Sequence, residues 1–107
     1  KRQVPGEPLG RVDDVHRAML DKAGYADERF AACGYSLGAT YRPSWMDVPP
    51  MIYSGNPLIM RPGMVFFPHV MLGDSRTGLA VGLGNTIVVT ETGSRSLSKL
   101  SLDLLLK

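Results

Sequence analysis

The segment RPGMVFFPHV, residues 61–70, decides the fold of this chain. Proline fixes φ and glycine tolerates positive φ, so its Pro-Gly step predicts a sharp turn. The apolar run 64–67 is rich in β-forming residues and predicts a strand buried on both faces. Pro68 cannot donate to a strand ladder, which predicts an edge or a bulge at that point. His69 follows directly and, on its context alone, fits a satisfied, partly buried histidine or a functional one.

Upstream of this segment, the pattern predicts one amphipathic helix. Residues 1–10 contain two prolines and two glycines and indicate a loop. Helical spacing of apolar residues then runs over 11–23, and Gly24 is a typical residue to end the helix. We expect Val12, Val15, Met19 and Leu20 on the buried face, and Asp13, Asp14, His16 and Asp21 on the solvated face.

Residues 30–106 read as sheet-forming segments followed by a short C-terminal helix. Gly34 and Gly38 flank a short strand and permit close approach of another strand or a ligand, and Cys33 beside them is expected to be a small core residue. The proline-rich stretch 46–58 predicts an irregular loop. The predicted strands are 64–72, 79–83 and 86–90, with a hairpin turn at 73–78, and the Leu-rich stretch 96–106 suggests the final helix. The order of elements is that of an α+β fold.

Composition bounds the class of protein. The chain has 107 residues and a net charge of +2, with scattered Lys and Arg that give no nucleic-acid footprint. The single cysteine excludes an internal disulfide and fits a reducing, cytoplasmic compartment. We see no membrane span and no signal peptide. The chain opens without Met in a Pro/Gly-rich stretch, which suggests a piece of a longer protein.

Three motifs carry a family resemblance: AGYADERFAACGYSLG at 23–38, RPGMVFFPHV at 61–70 and LGNTIVVTETGSRSLS at 83–98. In this order they resemble the pita-bread enzymes, the family of methionine aminopeptidase, aminopeptidase P, prolidase and creatinase. The resemblance implies that residues 1–107 form the C-terminal half of a pita-bread catalytic domain, a helix followed by a mostly antiparallel curved sheet.

The positions that bind metal in that family are replaced. The resemblance places a histidine and two glutamates, ligands of a pair of divalent ions, at Tyr35, His69 and Gly84, and Asn85 stands where the family usually has Asp. Two-metal sites need several carboxylates to offset the charge. The resemblance therefore implies no metal and no cofactor at these positions. The family's two aspartate ligands would lie upstream of residue 1.

This pattern implies a metal-independent, creatinase-like or Xaa-Pro dipeptidase-like hydrolase of the C–N bond in a small amide or dipeptide-like compound. His69 would be the general acid or base, and Tyr35 would donate a hydrogen bond to the oxyanion. The expected substrate-binding residues are Arg42, which suits a carboxylate, with Tyr41, Trp45 and Asn85. Arg42 fits equally an arginine stacked on a surface ring.

The alternative is a catalytically inactive binding module that has lost the metal site. In either case the exposed face of a half-domain predicts a homodimer or packing against the missing N-terminal half.

Overall fold

The computed structural model describes residues 4–38 and 46–103. One helix packs on one face of a six-stranded sheet in the described part of the chain, and every strand pair is antiparallel. The elements are α1 Gly10–Lys22, β1 Ala32–Leu37, β2 Met46–Tyr53, β3 Val65–Asp74, β4 Leu79–Gly84, β5 Ile87–Thr90 and β6 Gly93–Ser96. The spatial order is β2-β1-β3-β5-β6, and β4 also pairs with β3. The predicted α+β class is confirmed.

The helix forms where the pattern predicts it, but its buried face was predicted only in part. Gly24 has a φ of 88°, as the predicted helix end requires. Val12 packs against the core as predicted, but Met19 is 68% exposed and Asp13 is fully buried, so the apolar spacing marks only part of the face that packs on the sheet. The helix instead approaches the loop after β2 through its first turn, where Gly10 N donates to Asn56 O at 3.0 Å. An added Cβ at Gly10 would lie 2.7 Å from Asn56 N, so only a glycine permits this approach.

The predicted irregular loop 46–58 is wrong over its first half, which forms β2. Pro49 and Pro50 argued against a strand, because proline cannot donate to the ladder. They are accommodated because β2 is the outer strand of the described sheet, where it pairs with β1 on one side. The register between the two strands also shifts twice, between the pairs Ala32–Tyr53, Tyr35–Met51 and Leu37–Met46. Prolines at an irregular edge cost fewer ladder hydrogen bonds than prolines in a central strand.

Pro68 does not mark an edge, since β3 has neighbours on both sides. On one side it pairs with β1, and on the other with β5 and then β4. In an antiparallel strand the N and the C=O of one residue point to the same side. Pro68 O accepts from Asn85 N at 3.0 Å, so its nitrogen faces the break between β4 and β5. The proline therefore lies where this ladder is already interrupted.

The C-terminal helix predicted within 96–106 is absent from the described part of that stretch. Ser96 closes β6, which forms a hairpin with β5 around a turn at residues 91–92. Residues 97–103 contain no helix, and Leu100 is 83% exposed. Leucine spacing alone was the basis for the helix, and those of its leucines that the structure describes, Leu97 and Leu100, are largely exposed.

The hydrophobic core lies on the α1 side of the sheet. Its buried members are Leu9, Cys33, Ile52, Met60, Phe66, Ile87 and Val89. The burial of Cys33 confirms its predicted role as a core residue. By contrast, all six residues of β4 are exposed. Within residues 4–38 and 46–103, no helical segment has the length and hydropathy of a membrane span.

Candidate active site

Gly34 brings β1 unusually close to β3 and turns Tyr35 away from the core. Its φ is 149°, and an added Cβ would lie 2.5 Å from Phe67 O and 2.8 Å from Pro68 Cα. Cys33 and Tyr35 would share a face in a regular strand. The register shift at this point breaks that alternation: Cys33 joins the core, while Tyr35 pairs with Phe67 on the opposite face. The close approach predicted from the glycine is therefore an approach to a strand.

Three rings meet on this open face of the sheet. The ring centroids of Tyr35 and His69 are 5.3 Å apart and nearly edge-to-face. Phe67 lies 5.6 Å from Tyr35 and 5.7 Å from His69, stacked on the latter. All three side chains are half-buried. We call Tyr35, Phe67 and His69 the aromatic cluster; the structure thus brings the two predicted catalytic residues together.

Sequence reasoning missed Phe67, which it assigned to a strand buried on both faces. Only Phe66 is a core residue, at 1% exposure, because adjacent strand residues point to opposite faces. If the strand had been assigned one open face, the alternation of its side chains would have placed Phe66 in the core and Phe67 on the open face, beside His69.

Gly84 lies directly opposite His69 in the β3–β4 ladder. An added Cβ at Gly84 would overlap Phe67 Cζ and lie 3.0 Å from both Cε atoms. The phenyl ring thus occupies the space that any side chain at 84 would need.

The predicted substrate-binding residues fall into two groups. Tyr41, Arg42 and Trp45 lie outside the described residues. Asn85 is described, and its amide exchanges hydrogen bonds with the Ser96 hydroxyl, Nδ2 to Oγ at 2.9 Å and Oγ to Oδ1 at 3.1 Å. Asn85 is aligned with Pro68 rather than with a ring of the aromatic cluster. Its role in substrate binding remains a prediction.

A second polar cluster lies on the core side, around the Asp13 carboxylate. Arg17 Nε donates to Oδ2 at 2.6 Å, Ser54 N donates to the same oxygen at 2.9 Å, and His16 Nδ1 lies 3.1 Å from Oδ1. The Cys33 Sγ also lies within 4.8 Å of this carboxylate. Burial acts to raise the pKa of Asp13, but these hydrogen bonds outweigh it, and the pKa lies below its usual value. Predicting Asp13 on a solvated face was therefore wrong.

His16 was also predicted to be solvated, yet its side chain is only 10% exposed. Its Nε2 is buried without a hydrogen-bond partner among the described residues. The spacing of His16 and Arg17, three and four residues after Asp13, was the available signal, because such residues share a helix face.

The ligand atoms of Asp13, His16 and Cys33 lie within 4.8 Å of one another, a set of donor types that zinc sites use. The charge environment opposes a cation, because the Arg17 guanidinium already neutralises the carboxylate. Burial, followed by the Asp13 carboxylate, raises the pKa of the Cys33 thiol, which disfavours the thiolate that binds metal. We interpret this cluster as a structural tie between α1, β1 and the loop after β2.

Comparison with known proteins defines the class. The sequence profile of metallopeptidase family M24 matches residues 2–91, and the chain belongs to this family. The predicted pita-bread resemblance is confirmed.

Particular relatives refine this assignment. The chain is 30% identical over 104 residues to ectoine hydrolase from Halomonas elongata, covering 94% of this chain and 25% of that protein. It is similar to the crystal structure of dipeptidase PepE from Mycobacterium ulcerans, with a TM-score of 0.85, 26% identity, and coverage of 97% of this chain and 27% of that one. Prolidase from Pyrococcus furiosus shares the fold, with a TM-score of 0.83, 21% identity, and coverage of 94% and 28%. The chain spans about a quarter of the length of these relatives.

The metal pair that the family name implies does not fit the residues present here. At the three positions that the resemblance aligns with metal ligands, the chain has the phenol of Tyr35, the imidazole of His69 and, at Gly84, no side chain. A pair of divalent ions needs bridging carboxylates, and none of the three positions supplies one. The ring over Gly84 further closes the space that one of those carboxylates would take.

Proposed function

We propose that the parent protein hydrolyses a C–N bond in a small amide or dipeptide-like compound without a metal pair. The assignment to an M24 hydrolase acting on C–N bonds rests on the family match and the relatives. The observation that supports the finer proposal is the pairing of Tyr35 and His69, with ring centroids 5.3 Å apart, where the family would hold ligands.

The two side chains divide the chemistry between them. An imidazole nitrogen of His69 accepts the proton of the attacking water as the new C–O bond forms. The Tyr35 hydroxyl donates a hydrogen bond to the oxygen that gains negative charge. The protonated imidazole then returns the proton to the leaving nitrogen as the C–N bond breaks. Histidine suits both steps because its ordinary pKa lies near neutrality.

Two kinds of substrate should be tested first, because of the relatives' names. One is ectoine, for which the Halomonas relative is named, and the other is a set of Xaa-Pro and other dipeptides. The assay requires the full-length parent, since this chain spans only about a quarter of such proteins. Arg42, Tyr41 and Trp45 remain proposed contacts for a carboxylate-bearing substrate.

The test combines elemental analysis of the purified parent with turnover measured before and after chelation. We expect no stoichiometric metal, with turnover that chelators leave unchanged. His69→Ala should lower kcat/KM by about 10²–10⁴-fold. Tyr35→Phe should lower kcat by about 10²-fold, with a smaller effect on KM.

Two metal ions per chain, with turnover abolished by chelation, would overturn the metal-independent mechanism. Phe30→Leu, in a ring outside the aromatic cluster, is the control and should leave kcat/KM unchanged.

A second candidate, the inactive binding module, is favoured by Phe67, because the ring fills space that a catalytic pocket would leave open to substrate. It predicts no turnover of either substrate set. Saturable binding by calorimetry, with unchanged affinity in His69→Ala, would support it.

A further inference from the structure

Phe67 belongs neither to the core nor to the proposed catalytic pair, yet it contacts both members of that pair. Its neighbour Phe66 is buried on the α1 side, so Phe67 points to the open face. An apolar ring that is only half-buried gives less stability than a core ring, so packing alone does not account for it. Its contacts with Tyr35 and His69 suggest that the ring orients them.

The backbone does not explain why residue 84 is glycine. Gly84 is not among the positive-φ glycines of the described residues, so other residues could adopt its conformation. The obstacle is space, because an added Cβ would overlap the tip of the Phe67 ring. Gly82, two residues earlier on the same strand, is different: an added Cβ there would meet only Met71, at an ordinary 3.8 Å.

The Phe67 ring has little freedom to yield to a side chain at 84. Tyr35 lies 5.6 Å away on β1, and His69 lies 5.7 Å away on its own strand. Displacing the ring would therefore push against one of the two side chains that the proposed mechanism uses.

We propose that Phe67 is a positioning residue that holds the rings of Tyr35 and His69 in place, and that residue 84 is glycine to make room for it. A side chain at 84, such as the glutamate that the resemblance places there, and the Phe67 ring in its present position are then mutually exclusive. The catalytic consequence rests on the proposed function, whereas the packing relation stands independently of it.

A double-mutant cycle in the full-length parent tests the packing relation. The variants are Gly84→Ala, Phe67→Ala and the double substitution, with Gly82→Ala as the matched control. Gly84→Ala should destabilise the fold and so raise the unfolding equilibrium constant by at least about fivefold when Phe67 is present, and much less when position 67 is alanine. Gly82→Ala should have the same small effect in both backgrounds. An equal loss from Gly84→Ala in both backgrounds would overturn the proposal.

Positioning is read from the His69 ring protons by NMR, since neighbouring rings shift their resonances. Phe67→Ala and Gly84→Ala should both move these resonances, and Gly82→Ala should not. If Phe67→Ala does not fold, Phe67→Leu replaces it, since leucine keeps apolar volume but removes the ring. Unmoved His69 resonances in the folded Phe67 variant would refute positioning.

Turnover separates this inference from the proposed function. Phe67→Leu should lower kcat about tenfold with little change in KM, because a displaced base affects the chemical step more than binding. An unchanged kcat in an active parent would overturn the catalytic part. A parent that turns over neither substrate set, yet shows the coupled stabilities and shifted resonances, would overturn the proposed function and support the packing relation.

Discussion

Asp13 shows how one buried charge can organise several elements. Its carboxylate accepts hydrogen bonds from α1 and from the loop after β2, and the Cys33 thiol of β1 lies beside it, so three parts of the chain converge on it. A buried charge with several donors is costly to disturb, because removing it leaves those donors unpaired. The network is therefore expected to be a large local contributor to the stability of this region.

Asp13→Asn should destabilise the protein by about 3 kcal/mol, since it leaves Arg17 without its buried partner. Urea unfolding at neutral pH measures this loss. Asp14→Asn is the matched control, because the Asp14 carboxylate accepts only an exposed hydrogen bond, from the Ser54 hydroxyl. A loss equal to that of the control would contradict the role assigned to Asp13.

The sign of the pH dependence follows from the lowered pKa of Asp13. A carboxyl whose pKa is lower in the folded state stabilises the fold above its unfolded pKa, near 3.8, and loses that contribution as the pH falls through the folded value. The difference in stability between wild type and Asp13→Asn should therefore shrink below about pH 4. Unfolding midpoints of both proteins between pH 7 and pH 2 would measure the convergence.

At the scale of elements, Gly34 links the first strand to the site. Its close approach to β3 allows Tyr35 to reach Phe67 while Cys33 stays in the core. Any Cβ there must push against the Phe67 carbonyl and the Pro68 backbone, neither of which is a flexible side-chain end. The geometry of the aromatic cluster therefore depends on this one backbone position.

Gly34→Ala should cost about 2–5 kcal/mol, from the strained φ together with the overlap. Gly78→Ala is the control, because Gly78 also has a positive φ, of 70°, but no atom within 4 Å of an added Cβ. It should cost only about 1 kcal/mol. Chemical denaturation measures the loss of stability in both variants. Equal losses would mean that the strained φ, and not the close approach of β1 to β3, is the reason why position 34 requires glycine.

Local signals predicted some elements well and others not at all. The hairpin of β3 and β4 and the strand β5 followed from apolar, β-branched runs separated by a polar turn. The strand β2 was not predicted, because its prolines argue against a strand and a sequence does not show which strand will lie at the edge of the sheet. The helix face was missed in part because Val15 and Met19, although apolar, lie exposed while a charged residue is buried.

The site was predictable only through the family resemblance. Tyr35 and His69 are 34 positions apart, and no local pattern brings them together. Phe67 was missed because two adjacent phenylalanines suggested one buried run. The charge network around Asp13 was missed because its partners Ser54 and Cys33 lie on other elements.

At the scale of the molecule, the open apolar surface is the main feature left unexplained by the chain's own packing. Along β4, Leu79 is 72% exposed and Val81 is 53% exposed. They line a groove of about 480 Å³ together with Tyr25 and Leu72. Apolar surface of this kind favours association, either with another copy or with the rest of a longer protein.

We therefore expect the 107-residue chain alone to self-associate, because burying these side chains removes apolar area from water. Sedimentation velocity over a concentration series measures this. Replacing Leu79 and Val81 with Ser and Thr should shift the chain towards monomer, because both positions are exposed and their loss removes no core contact. Replacing Leu100, which is exposed outside the groove, with Ser is the control. If the Leu79 and Val81 variant associates as strongly as wild type and the Leu100 control do, the β4 surface is not the interface between the copies.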